Sequence, residues 1–208
     1  MNTLTSAERQ QGWRLLFDGK ATRGWRGFGQ STAPAGWQVV DGGLTRVGRA
    51  GDLVSEEEFD DFELALEWKV SEGGNSGIMY RVTDAQGATY ESGPEMQVLD
   101  DARHPDGRSR LTAAGSAYGL YPAPAGVAKP AGEWNQVRLV VKGAHVEHWL
   151  NGQKVVEYEL WSPDWKARVA NSKFAQWPTY GLAKKGHIAL QDHGDWVAYR
   201  NIRIRALP

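Results

Sequence analysis

The sequence predicts an all-β protein in which two antiparallel sheets pack as a sandwich or jelly roll. Short segments of alternating apolar residues recur along the 208 residues, and 25 glycines separate them at turns. Ten tryptophans exceed what a core of this size ordinarily uses, so some are expected to line a surface. We expect one domain over residues 13–208, preceded by an N-terminal extension of residues 1–12.

A short helix is predicted near the start of the chain, because Thr5-Ser6-Ala7-Glu8 fits a capping box and Gly12 can end the helix. The strands predicted after it are, in order, Trp13–Phe17, Trp37–Val40, Gly43–Val47, Phe62–Val70, Gly77–Val82, Glu95–Leu99, Gln136–Lys142, His145–Leu150, Gln153–Tyr158, Gly186–Gln191 and Val197–Ala206.

Two local patterns are especially regular. Phe62–Val70 alternates almost strictly, which predicts one face in the core and one in solvent. Asn151-Gly152 predicts a tight hairpin between two strands, because both residues tolerate a positive φ. By contrast, Asp101–Pro130 and Leu160–Tyr180 show no strand pattern. Loops this long are usually functional, so we expect them to fold over one sheet face.

Composition excludes several classes of function. With 24 basic and 25 acidic residues the net charge is −1, so the overall charge does not favour binding to nucleic acid or to an anionic membrane. The chain lacks cysteine, which excludes disulfides and thiolate sites. It has neither the roughly 20 apolar residues of a membrane helix nor a signal-peptide pattern at its N-terminus. We expect a cytoplasmic location, or a periplasmic or secreted one if a leader has been removed.

The strand Glu95–Leu99 carries polar residues at alternate positions. If Met96 and Val98 face the core, Glu95 and Gln97 point out of the sheet together, and Leu99 shares their face. Such a pair suits a binding surface, although a hydrogen-bonded edge residue is the simpler interpretation of either one alone.

Two further segments present polar side chains in the same way. The glycine-rich turn GGNSG leads into a strand whose alternation places Asn75, Met79 and Arg81 on one face. Near the end of the chain, Gln191 and His193 share a face. A lone histidine is more often packed in the core than functional. His148 shares a strand face with Val146 and Leu150, which favours a packed role. Three such segments together favour a site.

Other motifs are weak. The run from Asp100 to Gly107 is rich in carboxylates but lacks the ligand spacing of a Ca²⁺ loop, so a solvated turn is favoured and no metal is predicted. Gly27-Phe28-Gly29 is not a dinucleotide fingerprint, because no third glycine or helix follows it. No cofactor is predicted.

The motifs LLFDG, GGNSGIMYR, GPEMQVLDD, HPD, GEWN, HWLNG, SKF, KGHIALQDHG and RNIRIR occur in that order from about Trp13 to Leu207. In this set and order the chain resembles the 3-keto-disaccharide hydrolase domain family. The resemblance implies a concanavalin A-like jelly roll whose concave face binds sugar, so that Glu95 and Gln97 would lie on that face. It also implies a substrate that carries a ketone at sugar carbon 3.

That ketone acidifies the hydrogen on carbon 2, so the implied route is proton abstraction followed by elimination at carbon 1 and addition of water. The route needs a base, a donor for the enolate oxygen and an acid for the leaving group. With the resemblance, the expected catalytic residues are Glu95, His193 and Arg81. Glu95 or His193 would be the base, the other would be the acid, and Arg81 with Gln97 would hold the enolate oxygen. The expected substrate-binding residues are Asn75, Gln97, Tyr118, Tyr121, Lys173, Trp177 and Gln191.

Two other functions fit a jelly roll. A non-catalytic carbohydrate-binding module would need Trp, Asn and Gln but no base, and a plain interaction domain would use its tryptophans as core. Convergence of Glu95, His193 and Arg81 on one pocket would favour an enzyme over both.

Overall fold

The computed structural model describes residues 1–208 and contains thirteen strands and two short α-helices. In chain order they are α1 (Ser6–Gln10), β1 (Arg14–Leu15), β2 (Trp25–Gly27), β3 (Trp37–Val40), β4 (Gly43–Arg46), β5 (Leu53–Phe59), β6 (Phe62–Val70), β7 (Asn75–Val82), β8 (Glu95–Leu99), β9 (Asn135–Lys142), β10 (His145–Leu150), β11 (Gln153–Glu159), α2 (Pro163–Ala170), β12 (Gly186–Leu190) and β13 (Val197–Ala206). Short 3₁₀ turns occupy Thr89–Glu91, Pro105–Arg108 and Lys173–Gln176.

The strands form two antiparallel sheets, which confirms the predicted sandwich. The eight-stranded sheet has the order β11-β10-β9-β6-β13-β4-β3, and β1 pairs with β13 beside this path. The five-stranded sheet has the order β2-β5-β12-β7-β8. Some neighbouring strands, such as β6 and β13 or β5 and β12, are distant in sequence, because strands from both ends of the chain return to the same sheet. No helix is long and apolar enough to cross a membrane.

The main core lies between the two sheets. The core face predicted for β6 is confirmed, since Leu64 and Trp68 belong to a cluster of 38 buried apolar residues, but the opposite face is not wholly in solvent, because Glu63 and Ala65 are also buried. Met96 and Val98 of β8 face the same core, as expected. Leu99 pairs with Asn75 as Gln97 pairs with Gly77, so it shares the face of Glu95 as expected, although it is fully buried.

A smaller apolar cluster contains Val54, Met79, Val82 and Ala189, with Phe28 packed against it. Alternation along β7 puts this cluster on the outer face of the five-stranded sheet, because Ile78 and Tyr80 belong to the main core. This outer face therefore has an apolar middle.

The predicted N-terminal helix is confirmed. The Thr5 hydroxyl accepts a hydrogen bond from Glu8 N at 3.2 Å, and Glu8 Oε2 accepts one from Thr5 N at 2.7 Å. Ahead of this helix, Asn2 N donates to Asn201 Oδ1 at 2.6 Å. The domain boundary placed after residue 12 stays a prediction.

Three elements were not predicted. β2 has only three residues, too few to show a period, and β5 contains Glu56-Glu57-Glu58, which breaks its alternation. α2 lies inside the presumed loop Leu160–Tyr180. Its start has a sequence signature, because Ser162 caps the helix by accepting from Trp165 N at 3.1 Å and Pro163 occupies the first turn.

Candidate functional site

A cleft of about 180 Å³ opens on the outer face of the five-stranded sheet. It is lined by Asn75, Tyr90, Glu95, Gln97, Tyr118, Lys173, Phe174, Gln191 and His193. Seven of the ten residues predicted for the site are in this set. A larger hollow of about 310 Å³ lies beside Trp13 and Trp149 on the eight-stranded sheet, but it contains none of the predicted site residues.

The long loop after β8 brings Tyr118 to the cleft. Residues 115–118 run along the free edge of β8, where Gln97 N donates to Ser116 O at 3.1 Å and Gly115 N donates to Gln97 O at 2.8 Å. Tyr118 N donates to Glu95 O at 3.0 Å. These bonds extend the sheet by one irregular strand, so Tyr118 is fixed next to Glu95 by backbone pairing.

Glu95 has an unusual environment for a carboxyl group. The residue is 7% exposed, and burial raises its pKa to about 8. The nearby charge of Lys173 acts in the opposite direction, whereas Asp52 and Asp106 raise the pKa further. Glu95 is therefore mostly protonated at pH 7 but can ionise near the pH at which proton transfer is useful.

Gly77 provides the space for this carboxyl group. Gly77 lies on β7 and pairs with Gln97 of β8, and the next pair on the same face is Met79 with Glu95. A Cβ atom at residue 77 would come within 2.7 Å of Glu95 Cδ, closer than real Cβ contacts allow. The glycine in GGNSG thus serves the position of Glu95 directly.

Lys173 lines the cleft and lies over the ring of Tyr118. Its Nζ is 4.4 Å from the centre of the Tyr118 ring, which is a cation–π contact. The Tyr118 hydroxyl donates to Asp106 Oδ2 at 3.2 Å, and burial, with Asp106 second, raises the pKa of this hydroxyl to about 12. The cleft thus has one lysine ammonium group beside a carboxyl that can become charged.

His193 lines the cleft, and His104 packs against it. The rings of His104 and His193 meet edge to face, with their centres 6.3 Å apart. His104 Nδ1 accepts from Asp106 N at 3.1 Å, which fixes the ring, and its Nε2 lies 3.5 Å from Asn75 Nδ2. His193 itself is exposed at the cleft mouth.

Two buried amide oxygens in the cleft have no hydrogen-bond partner in the protein, namely Asn75 Oδ1 and Gln97 Oε1. Gln97 Nε2 donates to Thr112 O at 3.2 Å, so the Gln97 amide offers an acceptor to the cleft. Buried polar atoms are rarely left unpaired. These two oxygens therefore indicate a ligand with hydroxyl or amine donors.

The expectation that Arg81 faces the cleft is wrong. His187 pairs with Val82 and Ala189 with Met79, so three steps along β7 oppose two along β12. This β-bulge inserts Arg81, which has a φ of 53°. Arg81 is 1% exposed, and its Nη2 lies 3.4 Å from Asp61 Oδ1. The guanidinium group also stacks over Trp161 at 5.6 Å.

Tyr121 and Trp177 are also outside the residues that line the cleft. Tyr121 stacks on Tyr158 with ring centres 4.7 Å apart, and its hydroxyl donates to Asp164 Oδ2 at 2.7 Å, so it belongs to a packed aromatic stack. Trp177 contacts Tyr90 edge to face at 5.4 Å. Trp177 therefore does not line the cleft itself, but it contacts Tyr90, which does.

Sequence reasoning missed Tyr90 and Phe174 as lining residues, and it interpreted Asp106 as part of a solvated turn. Phe174 and Asp106 fall in the motifs SKF and HPD, which was the available signal. Tyr90 lies in a loop without any motif. His148 is fully buried, its Nδ1 lies 3.1 Å from Gly115 O, and burial lowers its pKa to about 4, which confirms its packed role.

An ordinary glycosidase uses two carboxylates across the scissile bond, but neither Asp100 nor Asp192 lines the cleft beside Glu95. Asp100 Oδ2 accepts from Gly73 N at 2.8 Å. Asp192 accepts from Ala50 N at 2.9 Å and from Gly51 N at 2.8 Å. Burial would raise the pKa of Asp192, but these backbone bonds outweigh it and the pKa is lowered. Both carboxylates hold loops together.

One group of side chains has the spacing of metal ligands. The ligand atoms of His145, Glu147 and Glu157 lie within 4.8 Å of one another on the β10–β11 hairpin, away from the cleft. His145 Nδ1 is 2.6 Å from Glu159 Oε1, and Glu147 Oε2 accepts from Trp149 Nε1 at 2.7 Å. Cross-strand pairing accounts for this cluster.

Comparison with known proteins finds relatives along the whole chain. Residues 12–205 match the model of the 3-keto-alpha-glucoside-1,2-lyase-like domain. A curated 3-keto-disaccharide hydrolase of Bacteroides thetaiotaomicron is 39% identical, and the match covers 100% of this chain and 82% of that protein. A solved structure from Parabacteroides distasonis, provisionally named a glycosyl hydrolase, is 35% identical with a TM-score of 0.94, covering 100% of this chain and 99% of that one.

A more distant neighbour shares the fold alone. A carbohydrate-binding module of Bacillus subtilis is 16% identical with a TM-score of 0.51, covering 88% of this chain and 96% of that one. The family match and the full-length relative agree with the motifs found in the sequence. The chain belongs to the family of 3-keto-alpha-glucoside-1,2-lyase-like domains.

Proposed function

We propose that this protein cleaves 3-keto-glycosides, with a 3-keto-disaccharide as the substrate class. Its class as a glycoside-acting enzyme rests on the family and on the 39% identical relative. The observation that supports the chemical route is the environment of Glu95, a buried carboxyl with a pKa of about 8 in a cleft with one lysine and two free amide oxygens.

The amide oxygens of Asn75 and Gln97 accept hydrogen bonds from sugar hydroxyls. Both are buried and unpaired, so an unliganded cleft leaves two acceptors desolvated. A sugar ring has hydroxyl donors on successive carbons and satisfies both. The cleft volume of about 180 Å³ corresponds to roughly six water molecules of liquid, which suits one sugar ring.

Glu95 acts as the base in this proposal. Its carboxylate removes the proton from carbon 2, and the C–H electron pair becomes the carbon 2–carbon 3 double bond of an enolate. A carboxylate with a pKa of about 8 is a much stronger base than an ordinary one. Gly77 leaves room for the carboxyl on the cleft floor, where the ring would lie.

Lys173 takes the role first expected of Arg81. Its ammonium group is the cation of the cleft, it lies over the Tyr118 ring, and its charge already favours the ionised form of Glu95. When Glu95 accepts the proton, the negative charge moves to the oxygen on carbon 3, and Lys173 stabilises it there.

The enolate then expels the glycosidic oxygen from carbon 1, and His193 protonates that oxygen. His193 suits this role because it is exposed at the mouth of the cleft, where the leaving group departs. Water adds to carbon 1 of the unsaturated ketone and gives its proton to His193, and Glu95, whose acid proton has exchanged with solvent, delivers a proton to carbon 2. The net reaction is hydrolysis, and the route includes no redox step.

Release of free sugar from a 3-keto-disaccharide and from its unoxidised parent tests this proposal. We expect release from the keto-sugar alone, because the parent has no acidic hydrogen on carbon 2. E95Q and H193A should lower the rate by about 10²–10⁴-fold while both variants stay folded. Cleavage of the parent, or full activity of both variants, would contradict the proposal. Binding of both sugars without any release would identify a carbohydrate-binding module instead.

A further inference from the structure

We propose that Tyr90 and Trp177 form a binding site for the leaving group, here called the aromatic ledge. The ligand it takes is a ring with a flat apolar face, such as the second sugar of a disaccharide or an aryl group. This inference rests on the proposed function, because it assigns the part of the substrate that lies beyond the cleft.

The cleft has room for one ring only. Asn75, Glu95, Gln97 and Phe174 form its buried part, so the reacting ring lies against them. Tyr90, Lys173 and His193 are the exposed residues at the mouth. The leaving group must therefore pass between these three side chains. Among these three side chains, only Tyr90 has a large apolar ring, and it is 40% exposed.

Tyr90 continues into a wider aromatic surface. The residue is 40% exposed, and Trp177 meets it edge to face at 5.4 Å. Trp177 in turn contacts Phe174, with ring centres 6.2 Å apart, and Phe174 lines the cleft. An exposed aromatic surface next to a polar cleft is typical of a binding site for amphipathic rings.

The ledge is held in place by bonds between its two loops. Gly181 N donates to Ser92 O at 2.8 Å and joins the loop of Trp177 to that of Tyr90. Trp161 Nε1 donates to Gly181 O at 2.7 Å. The hydroxyl of the buried Thr89, which directly precedes Tyr90, donates to the Asp52 carboxylate. Both rings are thus positioned before a ligand arrives, which reduces the entropy lost on binding.

The test compares three 3-keto-glucosides that differ only in the leaving group: a second glucose, phenol and methanol. For each substrate, kcat/KM of Y90A and W177A is divided by the wild-type value, which cancels the intrinsic difference between leaving groups. Loss of ring contact should lower this ratio about tenfold for one or both ring leaving groups, mainly through KM. The fall for the methyl glycoside should be at least fivefold smaller. Y90F keeps the ring, so its three ratios should be nearly equal to one another, without the dependence on leaving group expected of Y90A.

Trp149, on the outer face of the other sheet, provides the matched control, and W149A should leave all three ratios near one. The proposed ledge is contradicted if the kcat/KM ratios of Y90A and W177A fall equally for all three substrates. It is also contradicted if neither substitution lowers kcat/KM for a substrate with a ring leaving group. Binding of unoxidised maltose and methyl glucoside by calorimetry gives a readout that needs no turnover. If no keto-glycoside is cleaved but Y90A weakens the binding of maltose and not that of methyl glucoside, the proposed function fails and the ledge stands. If turnover occurs without discrimination, the ledge fails and the function stands.

Discussion

The carboxyl group of Glu95 occupies the space that a side chain at Gly77 would fill. The two residues lie on neighbouring strands, β8 and β7, and Gly77 faces Gln97 in the register. The position of the proposed base is therefore set by a missing side chain on the adjacent strand.

Replacing Gly77 with alanine should displace Glu95 without unfolding the protein. The atoms that clash are at the free end of a flexible side chain, and Gly77 does not have a positive φ. We expect kcat/KM to fall by about tenfold to a hundredfold, as for a misplaced catalytic group. A Cβ atom at Gly48 would meet no other atom within 4 Å, so G48A is the control and should keep full activity. Equal activity in both variants would show that Glu95 needs no such space.

The pH dependence of kcat/KM should follow the charges around Glu95. If Glu95 is the base, activity rises with pH toward a midpoint near 8. Lys173 lowers the pKa of Glu95 and Asp106 raises it, so K173M should move the midpoint up and D106N should move it down, each by roughly half a unit or more. Midpoints that move in the same direction would contradict this assignment, whatever happens to the maximal rate.

Stability should respond to pH through the same carboxyl group. The pKa of Glu95 is raised from 4.5 to about 8 in the folded protein, so between these values the unfolded chain ionises while the folded one stays neutral. The free energy of unfolding of the wild type should therefore fall, relative to E95Q, as the pH rises from 4.5 to 8, by on the order of a few kcal/mol. Denaturant unfolding of both proteins at pH 4.5 and 8.5 measures this difference. A constant difference would show that Glu95 is not buried as a neutral acid.

Arg81 should be dispensable for catalysis. Two of its guanidinium nitrogens, Nε and Nη1, are buried without a partner, and its ion pairs reach only Asp60 and Asp61. The partner side chains Asp60 and Asp61 are 66% and 31% exposed, so water can solvate both carboxylates without Arg81, and R81M should change the free energy of unfolding by less than about 2 kcal/mol. Its kcat/KM should stay near the wild-type value, in contrast to K173M. A loss as large as that of K173M would return Arg81 to the catalytic site.

The sandwich and much of the site follow from patterns with a fixed period. Glu95 and Gln97 share a face because β8 is regular, and Met96 and Val98 confirm it by packing in the core. The same rule failed for Arg81, because a bulge adds one residue to β7 and the alternation changes there. The local sequence of β7 does not predict that bulge, because the bulge is defined by how β7 pairs with β12, which is distant in sequence.

The loops were the other limit of sequence reasoning. The SKF motif identified Lys173, and Tyr118 was expected from its place in the loop after β8, but position in a loop depends on tertiary contacts that have no period. Tyr90 reaches the cleft because Thr89 is anchored on Asp52, a contact between residues far apart in sequence. Trp177 was expected at the site and lies one contact away from it, behind Tyr90.

The most direct test of the central claim is the isotopic fate of the hydrogen on carbon 2. A 3-keto-disaccharide is cleaved in heavy water, and the released keto-sugar is analysed by NMR and mass spectrometry. Proton abstraction by Glu95 predicts one solvent deuterium at carbon 2 of the product, beyond the uncatalysed exchange seen in a control without enzyme. It also predicts that E95Q fails to introduce this label. Product that retains its original hydrogen at carbon 2, formed at the full wild-type rate, would contradict the elimination route.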